Sequence, residues 1–277
     1  MKLKRIIFKF VVVLCCLLTA FSCTKKEEQT EVLRRVSYDK LKVKNGIMYE
    51  SSKITPFTGV GQEFYKDSVL KLEKEYRNGV LSGKTCYYWN NGIKQFEVGF
   101  LDGKFNGDYI EWNRDGSKIK HSRYRSGNLD GIQNSWYDNG KLQSQSEYEN
   151  GIQNGKVIQW YENGNKRFEE EWLNGEKNGY RKYWYEEGTI EGEGFYENDL
   201  VNGKVKGWYK NGNKMYEGVF LNGKKNGLYL KWYENGQLRS EENFKDDQKH
   251  GSFKTYDENG NLKEEEYYSE GILSKRN

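Results

Sequence analysis

A single proline, Pro56, interrupts the 277 residues. Proline removes an amide donor and breaks regular pairing, so its near absence leaves long ladders of backbone hydrogen bonds unobstructed. Histidine is almost as scarce. His121 and His250 stand alone, with no second His or Cys at ligand spacing, which argues against a transition-metal centre. No Ser/His/Asp or Cys/His set is visible either, so nucleophilic catalysis has no candidate. Of four cysteines, Cys15, Cys16 and Cys23 crowd the N-terminus and only Cys86 lies beyond them, which excludes a disulfide framework. Aliphatic residues are few, because aromatics are 16% of the chain within a hydrophobic total of 35%. Any core must then be built from flat rings.

What is abundant is glycine, and it is periodic. Gly92, Gly116, Gly140, Gly164, Gly188, Gly212, Gly236 and Gly260 recur every 24 residues. Gly59, Gly83, Gly107, Gly131, Gly155, Gly179, Gly203, Gly227 and Gly251 form a second series with the same period. A fixed period of this length marks stacked supersecondary units, each completed by its neighbours.

Two aromatic columns travel with the glycines, 12 residues apart. One runs Phe64, Tyr88, Trp112, Trp136, Trp160, Trp184, Trp208, Trp232, Tyr256. The other runs Tyr76, Phe100, Tyr124, Tyr148, Trp172, Tyr196, Phe220, Phe244, Tyr268. Turn sequences such as WYENG at 160–164 and 232–236 follow the first column. Asn-Gly tolerates the positive φ of tight turns, so each unit reads as a β-hairpin and the chain as all-β, with about nine repeats.

The register is arguable too. A two-residue loop, Asn163-Gly164, would put Trp160 on the face of Arg167 and Glu169; a three-residue loop, Glu162-Asn163-Gly164 with Gly164 left-handed, is preferred because it puts Trp160 on one face with Phe168 and Trp172. The same loop would join Trp184 to Ile190 and Tyr196, and Trp232 to Leu238 and Phe244. Trp112, Trp136, Trp160, Trp184, Trp208 and Trp232 are therefore expected as a structural column. Glu73, Glu97, Glu169, Glu193, Glu217, Glu241 and Glu265 would occupy the opposite face as a solvated row, too regular for a unique catalytic pair. Tyr137, Tyr161, Tyr185, Tyr209 and Tyr233 are expected beside those glutamates. Either they shield the sheet, the preferred reading, or they form an exposed strip that grips a ligand.

The N-terminus is a separate object. Lys2, Lys4, Arg5 and Lys9 precede an apolar run from Phe10 to Phe21. This reads as a signal peptide over 1–22, too short for an ordinary spanning helix. Its four basic residues account for the formal +4, since removing them leaves 41 basic against 41 acidic residues. No nucleic-acid footprint follows. Ala20-Phe21-Ser22-Cys23 resembles a bacterial lipobox, with Ala20 where Leu is usual. Ala20-x-Ser22 also suits ordinary signal peptidase; the lipidated Cys23 is the preferred reading, and it makes the membrane a partner through the anchor. Residues 23–44 then form the lipidated Cys and a polar tether, and 45–277 the repeat domain.

The WYxNGxxxxE units, with WYENGNKRFEEEW at 160–172 and the paired turn LNGKKNG at 221–227, resemble the bacterial MORN-repeat variant family. The resemblance covers about 45–271. It implies a single-layer antiparallel meander, one hairpin per repeat, open and elongated. It also implies action by contact, as a scaffold or a lipid- and protein-binding surface. Some members carry antitoxin-like labels, which sits badly with an exported chain. Gly207-Trp208-Tyr209 with Gly212 is similar to choline- and glucan-binding wall repeats, but their period is shorter.

The expectation is thus a non-enzymatic, lipid-anchored protein of the bacterial cell envelope, at the outer membrane. It would bind a protein partner, with carbohydrate binding through the tyrosine strip as the rival reading and antitoxin-like partner binding third. No cofactor is implied.

Overall fold

The computed structural model describes residues 33–277; Cys23, the signal segment and the start of the tether lie outside them. Among the described residues there is no α-helix, and a single open meander of about 23 strands carries the repeats. This is the all-β meander expected from the glycine and aromatic periods.

The described residues open with β1 (Arg35–Ser37), a 3-10 turn over Tyr38–Lys40, and a separate two-stranded hairpin of β2 (Leu41–Lys44) and β3 (Ile47–Glu50). β4 (Gly59–Phe64) then begins the regular ladder, and β1 lies parallel to it with Val36 opposite Gly61. The tether expected to reach residue 44 is therefore structured from Arg35 onward. The reason is burial: Val36, Met48, Phe57 and Tyr76 form a small core with Tyr38, Leu41 and Leu81 packed on it. Met48 and Phe57 also bond into the ladder, Met48 donating its amide to Gly79 and Gly79 donating to Phe57. These residues cover the first edge of the sheet. At the other edge, Ile272–Arg276 pairs with Leu262–Ser269 and every one of its side chains is exposed.

Two kinds of turn alternate. At Glu162-Asn163-Gly164 the Tyr161 amide donates to Asn165, Gly164 donates to Tyr161, and Gly164 has φ +97°. This is the expected three-residue loop. At the other end, Asn174 (φ 51°) and Gly175 (φ 89°) make a two-residue turn with both φ positive, a form whose twist suits flanking strands. Asp199 and Asp247 hold left-handed φ in place of that glycine, and each carboxylate accepts an amide from an adjacent turn, Lys177 at 2.9 Å and Lys225 at 2.8 Å.

The expected face of the Trp column is corrected by the pairing. Trp160 lies opposite Lys166, Trp184 opposite Ile190 and Trp232 opposite Leu238, as the loop requires. One residue later the register shifts: Gln159 pairs Phe168, so Arg167 is an extra, bulged residue. That bulge reverses every side chain after it. Ile158 faces Glu169, so Trp160 shares its face with the glutamate row, and Phe168 and Trp172 lie on the other side. The same shift recurs after Trp112, Trp136, Trp184, Trp208 and Trp232. These tryptophans are half-buried.

The second face is the more aromatic. Tyr87 stacks on Phe96 at 4.5 Å between centroids, Tyr216 on Tyr229 at 6.0 Å, and Phe253 meets Phe244 and Tyr268 edge-on. Lysine ammonium groups sit over these rings, with Lys225 Nζ 4.4 Å from the Tyr229 centroid and Lys249 Nζ 4.4 Å from that of Tyr268. An ammonium over a ring face is attracted by the negative face of the π-system.

Candidate functional site

The tyrosine strip lies along the three-residue turns, and its hydroxyls are committed. Tyr137 Oη donates to the Trp160 carbonyl at 2.7 Å, Tyr161 to Trp184 at 2.9 Å, Tyr185 to Trp208 at 2.8 Å, Tyr209 to Trp232 at 2.8 Å and Tyr233 to Tyr256 at 2.9 Å. Tyr65 makes the same bond to Tyr88, and Trp89 substitutes its indole N–H toward Trp112. Asparagines run a parallel series: the Asn163 amide donates to Glu186 and Asn211 to Glu234. Each repeat thus pins the start of the next turn. Tyr161 and Tyr233 are flanked by Arg167 and Arg239 guanidinium groups, each about 6 Å from the ring centroid. These bonds occupy the phenol donors and tie each ring to the main chain of the next repeat.

The Trp face is a lattice of ion pairs. Glu169 accepts from Lys166 at 2.5 Å and Lys156 at 3.2 Å, Glu193 from Lys206 at 3.0 Å, and Glu97 pairs with Lys84 and Lys94. Hydrogen bonds from Lys166 hold the Glu169 carboxyl below the ordinary range, and Lys214 does the same for Glu217. At Glu97 burial pushes upward, yet the two lysines bring the group below its usual value. Glu97, Glu169 and Glu217 are thus held in their charged form by the lysines beside them.

The lattice is interrupted where His121 and Gln145 replace glutamate. His121 Nε2 lies 3.1 Å from Asp108, beside a cavity of about 810 Å³ that Arg123, Asn134 and Glu147 also line. Among the described residues no group of three His, Cys, Asp or Glu side chains is placed to hold a metal ion.

A second irregularity was not singled out in the sequence. Tyr180 sits opposite Phe195, with ring centroids 5.2 Å apart and planes at 77°. Tyr180 is 63% exposed and shares its face with Trp184 and Glu193. Its signal was present as a departure from the repeat: the equivalent position holds Lys84, Asp108, Ile132, Lys156, Lys204, Leu228 or Ser252 elsewhere. On the opposite face Glu170 is buried against Arg181, 3.0 Å away, and Arg181 lies 4.5 Å from the Tyr183 centroid. Cys86 is buried, and burial pushes its thiol up to about 11.

A family model, the MORN repeat variant, matches six consecutive segments: 129–150, 153–174, 177–198, 201–222, 225–246 and 249–270. Each runs from just after a two-residue turn to the next. No curated protein matches the chain. Among solved structures, those of TcdB2-TccC3-Cdc42 and TcdB2-TccC3 align over 80% of this chain and 14% of theirs, at 9% and 10% identity with a TM-score of 0.20. The chain therefore spans a small part of their length, and a likeness at that level carries no structural or functional inference.

Proposed function

The chain belongs to the MORN repeat variant family, and from that premise we propose that it is a non-enzymatic binding surface, anchored by lipid at Cys23 in the cell envelope and holding a protein partner. The observation that carries this reading is the row of bonds from Tyr137, Tyr161, Tyr185, Tyr209 and Tyr233 to the next repeat. They fix neighbouring hairpins against one another, so both faces of one sheet are presented without ordering on contact. Preorganisation of that kind lowers the entropy lost in binding. The exposed side chains are mixed in charge, which favours a specific complementary partner over a polyanion. The anchor rests on the lipobox-like Ala20-Phe21-Ser22-Cys23 and is independent of the sheet.

Two measurements test the parts separately. Metabolic labelling with a fatty-acid analogue should mark the wild-type protein and not Cys23→Ala; equal labelling of both removes the anchor. Cross-linking in intact cells, followed by isolation of the envelope fraction, should capture one saturable protein partner. Capture only of abundant envelope proteins, unchanged by excess unlabelled protein, would contradict the binding role.

A further inference from the structure

We propose that the face carrying the Trp column holds a binding site for neutral oligosaccharide, centred on Tyr180. The proposal does not depend on the protein-partner reading.

The first argument is that the repeat does not need these rings. Phe195 replaces Glu75, Gly99, Arg123, Glu147, Glu171, Val219 or Asn243 at its position, and Tyr180 replaces polar or aliphatic residues at its own. Those other copies make the same hairpins. Only Tyr267 also puts an aromatic at the Phe195 position, and it lies opposite Ser252. An aromatic pair is therefore a local addition to a fold that forms without it.

The second is exposure combined with order. Tyr180 leaves 63% of its surface in solvent. Its ring is nonetheless propped edge-on by Phe195, and its amide donates to Glu171 Oε2 at 3.3 Å. A rigid ring presented to water suits stacking against the flat, aliphatic face of a pyranose, where the C–H bonds meet the π-cloud.

The third is what surrounds the ring. A cavity of about 450 Å³ lies on one side, bounded by Lys166, Glu169 and Trp184, and one of about 560 Å³ on the other, bounded by Asn202, Lys204 and Lys206. Glu193 lines both. Pockets with aromatic walls and a few convergent polar groups are the usual form of small-ligand sites. Lys166 Nζ lies 5.7 Å from the Trp184 centroid, so that ring is held from one side. Tyr180 and Trp184 are four residues apart on one strand face, roughly 14 Å at strand rise. One sugar ring cannot touch both, so the site fits a chain of sugars.

Charge selects the class. Lys166 is already paired with Glu169, and Lys182 and Lys206 with Glu193. Across both cavities Lys166, Lys182, Lys204 and Lys206 face Glu169, Glu171 and Glu193, so the interspersed charges leave one net positive charge and little field for phosphate or sulfate. They do offer acceptors and donors in alternation, which is what vicinal hydroxyls require.

The test uses the detergent-solubilised full-length protein on a printed array of neutral and anionic oligosaccharides, followed by calorimetric titration with the best ligand. Neutral oligosaccharides should bind. Tyr180→Ser should weaken binding at least tenfold with an unchanged melting temperature, Tyr180→Phe should retain it, and Tyr161→Ser should lower the melting temperature without altering affinity. Absence of any neutral ligand, preference for phosphorylated or sulfated glycans, or full affinity in Tyr180→Ser would each overturn the proposal.

Discussion

The phenol of Tyr161 donates to the main-chain carbonyl of Trp184, 2.9 Å away and 23 residues on. It joins two hairpins that share no turn. A net hydrogen bond of this kind is worth about 1 kcal/mol. Tyr161→Phe keeps the ring and deletes only the donor, so it should lower stability by about that amount in urea titration. Tyr209→Phe should do the same at Trp232. No change in either midpoint would mean that these bonds exchange freely with water.

The buried pair Glu170–Arg181 lies among Phe168, Tyr183 and Tyr196, with the Glu170 side chain 7% exposed. Removing one partner of such a pair strands the other charge, typically at about 3–5 kcal/mol. Glu170→Ala should fall near the lower end, because Arg181 keeps some contact with solvent. Replacing both residues by Met should recover much of the loss. A double variant as unstable as Glu170→Ala alone would show that packing, not charge, decides the site.

Much of this was legible in the sequence, and the limits of that reading have a physical cause. Period 24 gave the hairpins, because glycine at left-handed φ is demanded by turn geometry wherever the turn recurs. The loop at 162–164 was legible for the same reason. The face of Trp160 was not, because the bulge at Arg167 leaves no compositional mark: arginine occupies it without strain. The strand at Arg35–Ser37 was hidden for a related reason. It is three residues long, with only Val36 buried, too short to show alternation. Tyr180 could have been found by asking where the repeat departs from itself rather than where it agrees.

Stability should fall at both ends of the pH scale. Glu169 and Glu217 are held low by lysine hydrogen bonds, so their contribution is present above the ordinary carboxylate value, about 4.3. It is lost as pH drops through their lower folded values. Burial raises the Tyr183 and Tyr229 phenols to about 12, so the folded state favours their neutral form. That contribution is intact below about pH 10 and declines as pH rises from there toward 12. Urea midpoints measured from pH 2 to 11 should form a plateau with two falling limbs. Added salt should flatten the acid limb, since these carboxylates are partly solvated. A midpoint independent of pH below 4 would contradict the ion-pair lattice.

Cys86 has its thiol pushed up to about 11 by burial between strands. Only the thiolate reacts quickly with maleimide. Labelling at neutral pH should therefore be slow in the native protein and fast in denaturant, at a rate that tracks local opening. Rapid native labelling would place the thiol at the surface.

Gly179 and Glu171 give the sharpest test of how the repeats interlock. Gly179 has φ +130°, and a Cβ there would lie 2.1 Å from Glu171 Oε2 and 2.7 Å from Glu171 Cβ. Gly155 stands in the same relation to Glu147, and Gly83 to Glu75. Gly203 occupies the same place in its repeat at φ +97° but has no atom within 4 Å of such a Cβ. Both Gly→Ala changes carry the strain of a positive φ, of order 1–3 kcal/mol. Gly179→Ala adds a collision with a side chain whose own Cβ is in the way, so rotation of the carboxylate alone does not relieve it. Gly179→Ala should thus destabilise by more than Gly203→Ala, and the excess should shrink when Glu171 is also changed to Gly, which removes the obstructing Cβ. The comparison needs a double-mutant cycle, because Glu171→Gly has its own effect on the strand. If Gly179→Ala and Gly203→Ala are equally destabilising, the glycine column is retained for its backbone conformation alone. An excess that disappears with Glu171 shows that it is also retained to let a glutamate fold across the neighbouring strand.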